Sequence, residues 1–123
     1  MRHGFMVEDG WYTLINALCA LLQYETDAKG APQLIAVQVK EKFTELRFYV
    51  TGEATERQRA FLHFARVLAS QTCDTCGAPG HTWVRHQHYT VRCDQHRLPG
   101  AIRAPKTPIS TDLLVAPDVP AQD

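Results

Sequence analysis

The feature that most constrains this chain is a set of two short ligand pairs in its C-terminal half. Cys73 and Cys76 form a Cys-x-x-Cys-Gly sequence, and Cys93 and His96 form a Cys-x-x-His sequence sixteen residues further on. A two-residue spacing lets both side chains of a pair face one ion, and Gly77 permits the tight turn that this requires. Two such pairs separated by the length of a hairpin predict a zinc site.

Four protein ligands would fill a tetrahedral zinc and leave no position for water or substrate, so the predicted ion is structural, with one zinc per chain. Its binding energy would be part of the folding energy, about 10 kcal/mol in apparent terms. Three thiolates exceed the two positive charges of zinc by one, and Arg85, Arg92 and Arg97 lie close enough in sequence to compensate. His81 is the alternative to His96 as the fourth ligand.

Two amphipathic helices are predicted before these pairs. The first spans residues 9–26 with Asp9 as its N-cap, and the second spans residues 55–70, where Thr55 and Gln58 have the spacing of a capping box. Apolar residues at helical spacing predict the buried face of each helix. They are Trp11, Leu14, Ile15, Leu18, Leu21 and Leu22 in the first helix, and Phe61, Phe64, Ala65 and Leu68 in the second.

Alternating apolar and polar residues predict two strands between the helices, at residues 33–42 and 45–51. The short gap between the strands predicts an antiparallel hairpin. Polar side chains on this hairpin form either an ordinary solvated face or a recognition surface for a partner, made of Lys40, Lys42, Arg47 and Tyr49.

Proline dominates the last part of the chain: five of the seven prolines fall in its last 25 residues. This density predicts an extended tail without regular helix or central strand. We expect the tail to dock on the domain or on a second subunit through Ile109, Leu113, Leu114 and Val115. The predicted fold class is therefore α+β, with a helix–hairpin–helix body at 1–72, a treble-clef-like or ribbon-like zinc module at 73–98 and the tail at 99–123.

Composition narrows the environment and the class of partner. Lys plus Arg and Asp plus Glu each number 13, so the chain is neither a polybasic nucleic-acid coat nor an acidic protein. It has no apolar run long enough to cross a membrane, and no secretory leader is recognisable at its start. Clustered cysteines without such a leader predict a reducing, cytoplasmic location. The remaining cysteine, Cys19, falls in the first helix and is predicted to be a small buried residue.

Sequence motifs for common enzyme classes are absent, including the zinc-deaminase, zinc-protease, P-loop and nucleophile-elbow patterns. A nuclease would have to use His86 or His88 with Asp94, which matches no established pattern. Nucleic-acid binding is the stronger alternative, because residues 73–106 carry five basic and two acidic groups together with aromatic residues. Its candidate surface comprises Trp83, Arg85, His86, His88, Arg92 and Tyr89.

The sequence also resembles a group of small, mostly uncharacterised zinc-binding proteins of bacteria, phages and prophages. The resemblance covers about residues 10–96 and is carried by Gly-Trp-Tyr at 10–12, Val-Lys-Glu-Lys-Phe at 39–43, Leu-Arg-Phe-Tyr-Val at 46–50 and the two ligand pairs. In that group two glycines usually follow the Phe of the hairpin, whereas Thr44 and Glu45 stand here. The resemblance implies a zinc-binding domain of mobile DNA with no assigned activity.

These observations favour a non-enzymatic, zinc-stabilised binding protein, an accessory protein of a phage or mobile element that acts on a host protein. Nucleic-acid binding through the zinc module is the second hypothesis, and a zinc-module nuclease is the third.

Overall fold

A computed structural model describes residues 5–105 of the chain, with side chains from Val7 onward. It has the predicted α+β class, with two helices and two three-stranded sheets in this range. The residues expected to anchor the tail, Ile109 and 113–115, lie outside the described range.

Helix α1 (Tyr12–Lys29) follows a 3-10 turn at Asp9–Trp11. Asp9, the predicted N-cap, lies inside that turn, and Trp11 occupies the cap position of α1 without a side-chain hydrogen bond, so this prediction is wrong. The helix ends at Gly30, whose φ of 74° is the left-handed conformation that favours glycine.

Helix α2 (Glu56–Ala69) begins with the predicted capping box. The Gln58 amide N–H donates to the Thr55 hydroxyl over 3.1 Å, and the Thr55 N–H donates to the Gln58 side-chain oxygen over 2.9 Å. Two N–H groups that lack partners in the first turn are satisfied in this way.

The first sheet has the strand order β1-β2-β3, with β1 at Phe5–Met6, β2 at Ile35–Lys42 and β3 at Glu45–Thr51. The hairpin of β2 and β3 is antiparallel, which confirms the prediction. Strand β1 pairs in parallel with β2 through Phe5 and Val39. Its two residues are too few to show a period, so the sequence does not predict it.

The hairpin turn consists of Phe43 and Thr44, which have φ values of 53° and 66°. Two consecutive positive φ values define a type I′ turn, whose twist matches that of the flanking strands. Glycine or asparagine usually occupies these positions, because other residues are strained there by about 1–2 kcal/mol each. The chain therefore forms the tight turn without the glycines of the group that it resembles.

The zinc module contains a second sheet, in which β4 (His81–Arg85) lies between β5 (His88–Arg92) and β6 (Ile102–Arg103). All its pairings are antiparallel. Strand β6 lies beyond residue 98, so the module extends past its predicted boundary. Within the described range no helix follows β5.

The two helices pack on one face of the first sheet and enclose the core. Its largest buried apolar side chains are Trp11, Ile15, Leu18 and Leu22 of α1, Val39, Leu46, Phe48 and Val50 of the sheet, and Leu62 of α2. No helix in the described part of the chain has the length and apolar character needed to cross a membrane.

Three residues assigned to the core by periodicity are instead exposed: Leu21, Phe64 at 64% and Leu68 at 41%. Helix α2 is rotated relative to the prediction, so that Leu62 and Ala69 face the core. The rotation buries two polar residues that find partners. Gln58 completes the capping box, and Arg66 donates to Glu45 over 2.8 Å. The apolar pattern alone does not reveal these polar partners.

Candidate metal centre

The first ligand pair lies on a tight backbone turn that follows α2. The Cys73 N–H donates to the Ala78 carbonyl over 2.7 Å, and the Gly77 N–H donates to the Cys73 carbonyl over 2.9 Å. Gly77 has a φ of 86°, so the glycine after the second cysteine has the role that the sequence predicts. This turn brings Cys73 and Cys76 into one cluster.

The second pair follows the β4–β5 hairpin, which returns the chain to the first turn. Cys93 comes directly after β5, and the His96 N–H donates to the Cys93 carbonyl over 3.1 Å. The Asp74 N–H also donates to the Val91 carbonyl over 2.9 Å and joins the hairpin to the first turn. The hairpin thus sets the distance between the two pairs.

Cys73, Cys76, Cys93 and His96 converge, with their ligand atoms all within 4.8 Å of one another. The Sγ atoms of Cys76 and Cys93 are 3.8 Å apart, and Nδ1 of His96 is 3.3 Å from Sγ of Cys93 and 3.8 Å from Sγ of Cys73. Zinc–sulfur bonds of about 2.3 Å in a tetrahedron place two sulfurs about 3.8 Å apart. The cluster therefore fits a single zinc ion.

The surroundings of Cys73 favour its thiolate form. Burial raises the pKa of the Cys73 thiol, but backbone N–H groups of Cys93, Cys76 and Thr75 outweigh this effect and lower the pKa to about 6. The Thr75 N–H lies 3.4 Å from the sulfur. Because zinc binds the thiolate and not the thiol, this sulfur is prepared for a metal at neutral pH.

Arg92 connects the two ligand turns. Its Nε donates to Oδ1 of Asp74 over 3.1 Å, and its Nη1 donates to the His96 carbonyl over 3.3 Å. Asp74 lies between the first two cysteines, so the guanidinium holds one turn against the other. Of the three arginines expected to offset the charge of the centre, this one is placed in direct contact with both turns.

The other two arginines lie around Trp83. Arg85 donates to the Pro99 carbonyl over 2.9 Å, while Arg97 stacks over the Trp83 ring at 5.1 Å and Arg103 stacks at 5.7 Å. Trp83 is only 5% exposed, and its indole N–H donates to the Arg92 carbonyl over 2.8 Å. Trp83 is therefore a buried support of the module and does not offer an exposed ring to a ligand.

The remaining histidines of the module lie outside the cluster. Nδ1 of His81 is 3.1 Å from Nη2 of Arg103, so His81 is not a ligand and His96 completes the set. His86 has a φ of 51° in the β4–β5 turn, whereas His88 begins β5. They do not share a strand face, contrary to the sequence prediction, because the turn falls between them.

Two residues that position the centre were not predicted to do so. The Gly10 N–H donates to the Asp74 carbonyl over 2.9 Å, and the indole N–H of Trp11 donates to the Thr72 carbonyl over 2.9 Å. A Cβ on Gly10 would overlap the Cys73 carbonyl oxygen and come within 2.7 Å of the Asp74 oxygen. Helix α1 thus begins directly against the first ligand turn. The Gly-Trp pair is visible in the sequence, but its contact, 61 positions away, is not.

A cleft of about 360 Å³ separates the body from the module. Its polar lining mixes carboxylates with cationic groups: Glu8, Glu41, Asp74, His88 and Arg92. Asp94, the acidic residue of the nuclease hypothesis, does not line it. Among the described residues, the cysteine–histidine cluster is the one group of three or more potential metal ligands close enough to share an ion.

The predicted hairpin surface lies on the face of the first sheet opposite the helices. Lys40 and Arg47 are directly paired across the strands, and Lys42 pairs with Glu45 beside the turn. Tyr49 is half-buried on the same face. These residues and the zinc-module residues Arg85, His86 and His88 belong to different sheets. Cys19 is half-buried in α1, where desolvation raises the pKa of its thiol.

Comparison of the chain with models of protein families, with curated proteins and with solved structures gives no match in any of the three. The function is therefore inferred from the residues and their arrangement.

Proposed function

We propose that this chain is a cytoplasmic, zinc-stabilised binding protein without catalytic activity, an accessory protein of a phage or mobile element that binds a host protein. The closed ligand set supports a structural ion, because three thiolates and an imidazole occupy all four positions of a tetrahedral zinc. The resemblance of the sequence to proteins of phages and prophages supports the biological setting.

Within this proposal the module is of the ribbon-like class and not the treble-clef class. A treble clef places its second ligand pair at the start of a helix. Here Cys93 and His96 lie on a turn after β5, and the chain continues to strand β6 without a helix. Two ligand turns joined by a hairpin are the arrangement of a zinc ribbon.

The observation that carries the proposal is an apolar groove between α1 and α2. Leu21, Phe64 and Leu68 are exposed, although periodicity assigns all three to the core. Arg57 contacts Glu25 across the two helices, and each exposed residue lies on the flank of its helix that faces this ion pair. Adjacent exposed apolar side chains of this size are typical of a surface that another protein covers.

The partner that suits this groove presents its own apolar side chains, as an amphipathic helix does. We test this with a tagged chain in which Phe64 and Leu68 are both replaced by serine, used to capture proteins from host lysate treated with nuclease. A specific partner should be retained by the original chain and lost by the double variant.

Phe43→Ser is the matched control, since Phe43 is 73% exposed at the hairpin turn, away from the groove. It should leave capture unchanged. All three proteins should contain one zinc and unfold at similar temperatures. Equal capture by the original chain and the double variant would contradict the proposed groove, and loss of every partner after nuclease treatment would favour the second candidate.

Nucleic-acid binding is that second candidate, supported by the arginines of the module that have no carboxylate partner among the described residues: Arg85, Arg97 and Arg103. Its aromatic component is weakened by the burial of Trp83. We expect weak binding at physiological salt, because the net charge of the chain is zero. A submicromolar dissociation constant that rises steeply with salt and with Arg97→Ala would reverse this ranking.

A further inference from the structure

The first sheet has one edge that no described strand covers. Strand β1 pairs with one side of β2, which leaves β3 as the free edge. The two-residue turn makes Lys42 and Glu45 a hydrogen-bonded pair, so the N–H and C=O groups of Glu45, Arg47 and Tyr49 point toward β2. Those of Leu46 and Phe48 therefore point outward along the free edge. An edge of this kind accepts an additional strand.

A row of cationic side chains lies beside that edge. Arg59, His63 and Arg66 are spaced at i, i+4 and i+7, so they share the flank of α2 opposite the apolar groove. Arg66 donates to Glu45 at the start of β3 over 2.8 Å, which places this flank along the edge. Glu45 also lies 3.5 Å from Arg47, so one carboxylate serves two guanidinium groups.

Several polar atoms of this row are shielded from solvent but lack a hydrogen-bond partner among residues 5–105. They are Nε of Arg47, Nε of Arg59 and Nδ1 of His63. Arg47 is also opposite Lys40 across the strands, an unfavourable pairing of like charges. Buried donors without acceptors are costly, so these atoms point to an acidic occupant.

We propose that residues 107–123 of the same chain are that occupant, with the part around Asp112 and residues 113–115 lying as an extended strand along the free edge of β3. This segment carries three acidic residues and no basic residue, which complements the cationic row. Leu113, Leu114 and Val115 add apolar side chains suited to a strand.

The connection is long enough for this docking. Seven residues lead from Pro105 to Asp112 and span up to about 25 Å when extended. A globular domain of this length has a radius of gyration of about 14 Å, so the edge is within reach of the module. The Asp112 carboxylate would then accept from Arg47 and Arg59 while the backbone of the segment pairs with Leu46 and Phe48.

Amide hydrogen exchange of Leu46 and Phe48 tests the proposal in the zinc-loaded chain. Removing residues 107–123 should accelerate exchange at both amides by about tenfold or more, because each would lose its acceptor. Asp112→Lys in the full chain should have the same effect, whereas Asp118→Lys, placed between two prolines, should not. Combining Asp112→Lys with Arg59→Glu should restore protection.

Other outcomes overturn the proposal. Equal exchange in the full and shortened chains would mean that the segment does not cover β3. Protection that disappears on dilution, together with a dimeric mass, would assign the edge to the segment of a second copy. If the shortened chain fails to fold, the charge exchange between positions 59 and 112 still decides, since absence of rescue contradicts the pairing.

Discussion

At the scale of single residues, the metal module is held to the body by backbone groups and an indole. The Gly10 N–H and the Trp11 side chain both donate to carbonyls at the start of the first ligand turn. Gly10 lacks a Cβ where the Cys73 and Asp74 backbones approach it most closely. The module position therefore depends on a residue that contributes no side chain.

Gly10→Ala is expected to destabilise the chain by about 3 kcal/mol, the upper end of the range for overpacking, because the contacted atoms are backbone and cannot move independently. Denaturant unfolding of the zinc-loaded protein measures this difference. Gly30→Ala is the control. Its φ of 74° imposes conformational strain, but nothing lies within 4 Å of the added carbon, so a loss of about 1 kcal/mol is expected. Equal losses at the two sites would show that the close approach is unimportant.

Cys73→Ser is expected to abolish stoichiometric zinc binding and to unfold at least the C-terminal module, since metal binding energy is folding energy. Metal analysis of the purified protein should give one zinc for the original chain and for Cys19→Ala, whose side chain lies in α1 outside the cluster. Zinc-free fresh protein, or a disulfide between the clustered cysteines, would contradict the assignment.

The lowered pKa of Cys73 gives a pH dependence with a definite sign. The thiol titrates at about 6 in the folded chain and at 9.0 ordinarily, so folding favours the thiolate. This contribution to stability is fully present above pH 9 and is lost as the pH falls through 6. Thiolate ultraviolet absorbance of the chelated protein should show a transition near pH 6 that is absent in Cys73→Ser. A single transition near pH 9 would contradict it.

The ligand residues were predictable because the chemistry of zinc imposes their type and local spacing. The choice between His81 and His96 was not decided by that spacing and required the fold, which directs His81 toward Arg103. Gly10 was not predictable as a contact, since its partner lies more than sixty positions away and a glycine has many local explanations.

At the scale of secondary-structure elements, two hairpins close through left-handed residues that are not glycine. Phe43 and Thr44 close the first, and His86 and Gln87, with φ values of 51° and 65°, close the second. Strong strand pairing on both sides holds these residues in place, so each turn stores conformational strain.

Thr44→Gly and Gln87→Gly should therefore each stabilise the chain by about 1 kcal/mol, because glycine adopts positive φ without the steric cost. Thermal unfolding of zinc-loaded protein measures the gain. Lys42→Gly, on strand β2 beside the first turn, is the control and should lose about 0.5–1 kcal/mol. Destabilisation by all three substitutions would show that the turns are not strained.

The hairpin and both helices were predictable from alternation, helical spacing and the Thr55 capping box. The rotation of α2 was not, because burial of Gln58 and Arg66 depends on partners in the cap and on β3 that a count of apolar residues ignores. Strand β6 was also missed, since a two-residue strand next to prolines has no period of its own.

At the scale of the whole molecule, body and module are one cooperative unit, because the core residue Trp11 bonds the turn that bears Cys73. Removing zinc with a chelator should therefore loosen the body as well as the module. In a Trp83→Phe chain, Trp11 fluorescence should shift to longer wavelength on chelation and return when zinc is added. An unchanged spectrum, with loss of structure confined to residues 73–105, would show that the two parts fold independently.

The bond between Trp11 and the Thr72 carbonyl also sets an order of events during synthesis. The ribosome adds about 5–20 residues per second, so the acceptor is made about 3–12 s after the indole. In that interval the first helix has no partner for its largest buried side chain, and the cysteines that recruit the ion come later still. The nascent chain thus depends on its last-made half to complete its first, and interrupted translation would release a fragment with an exposed tryptophan, a natural target for chaperones and proteases.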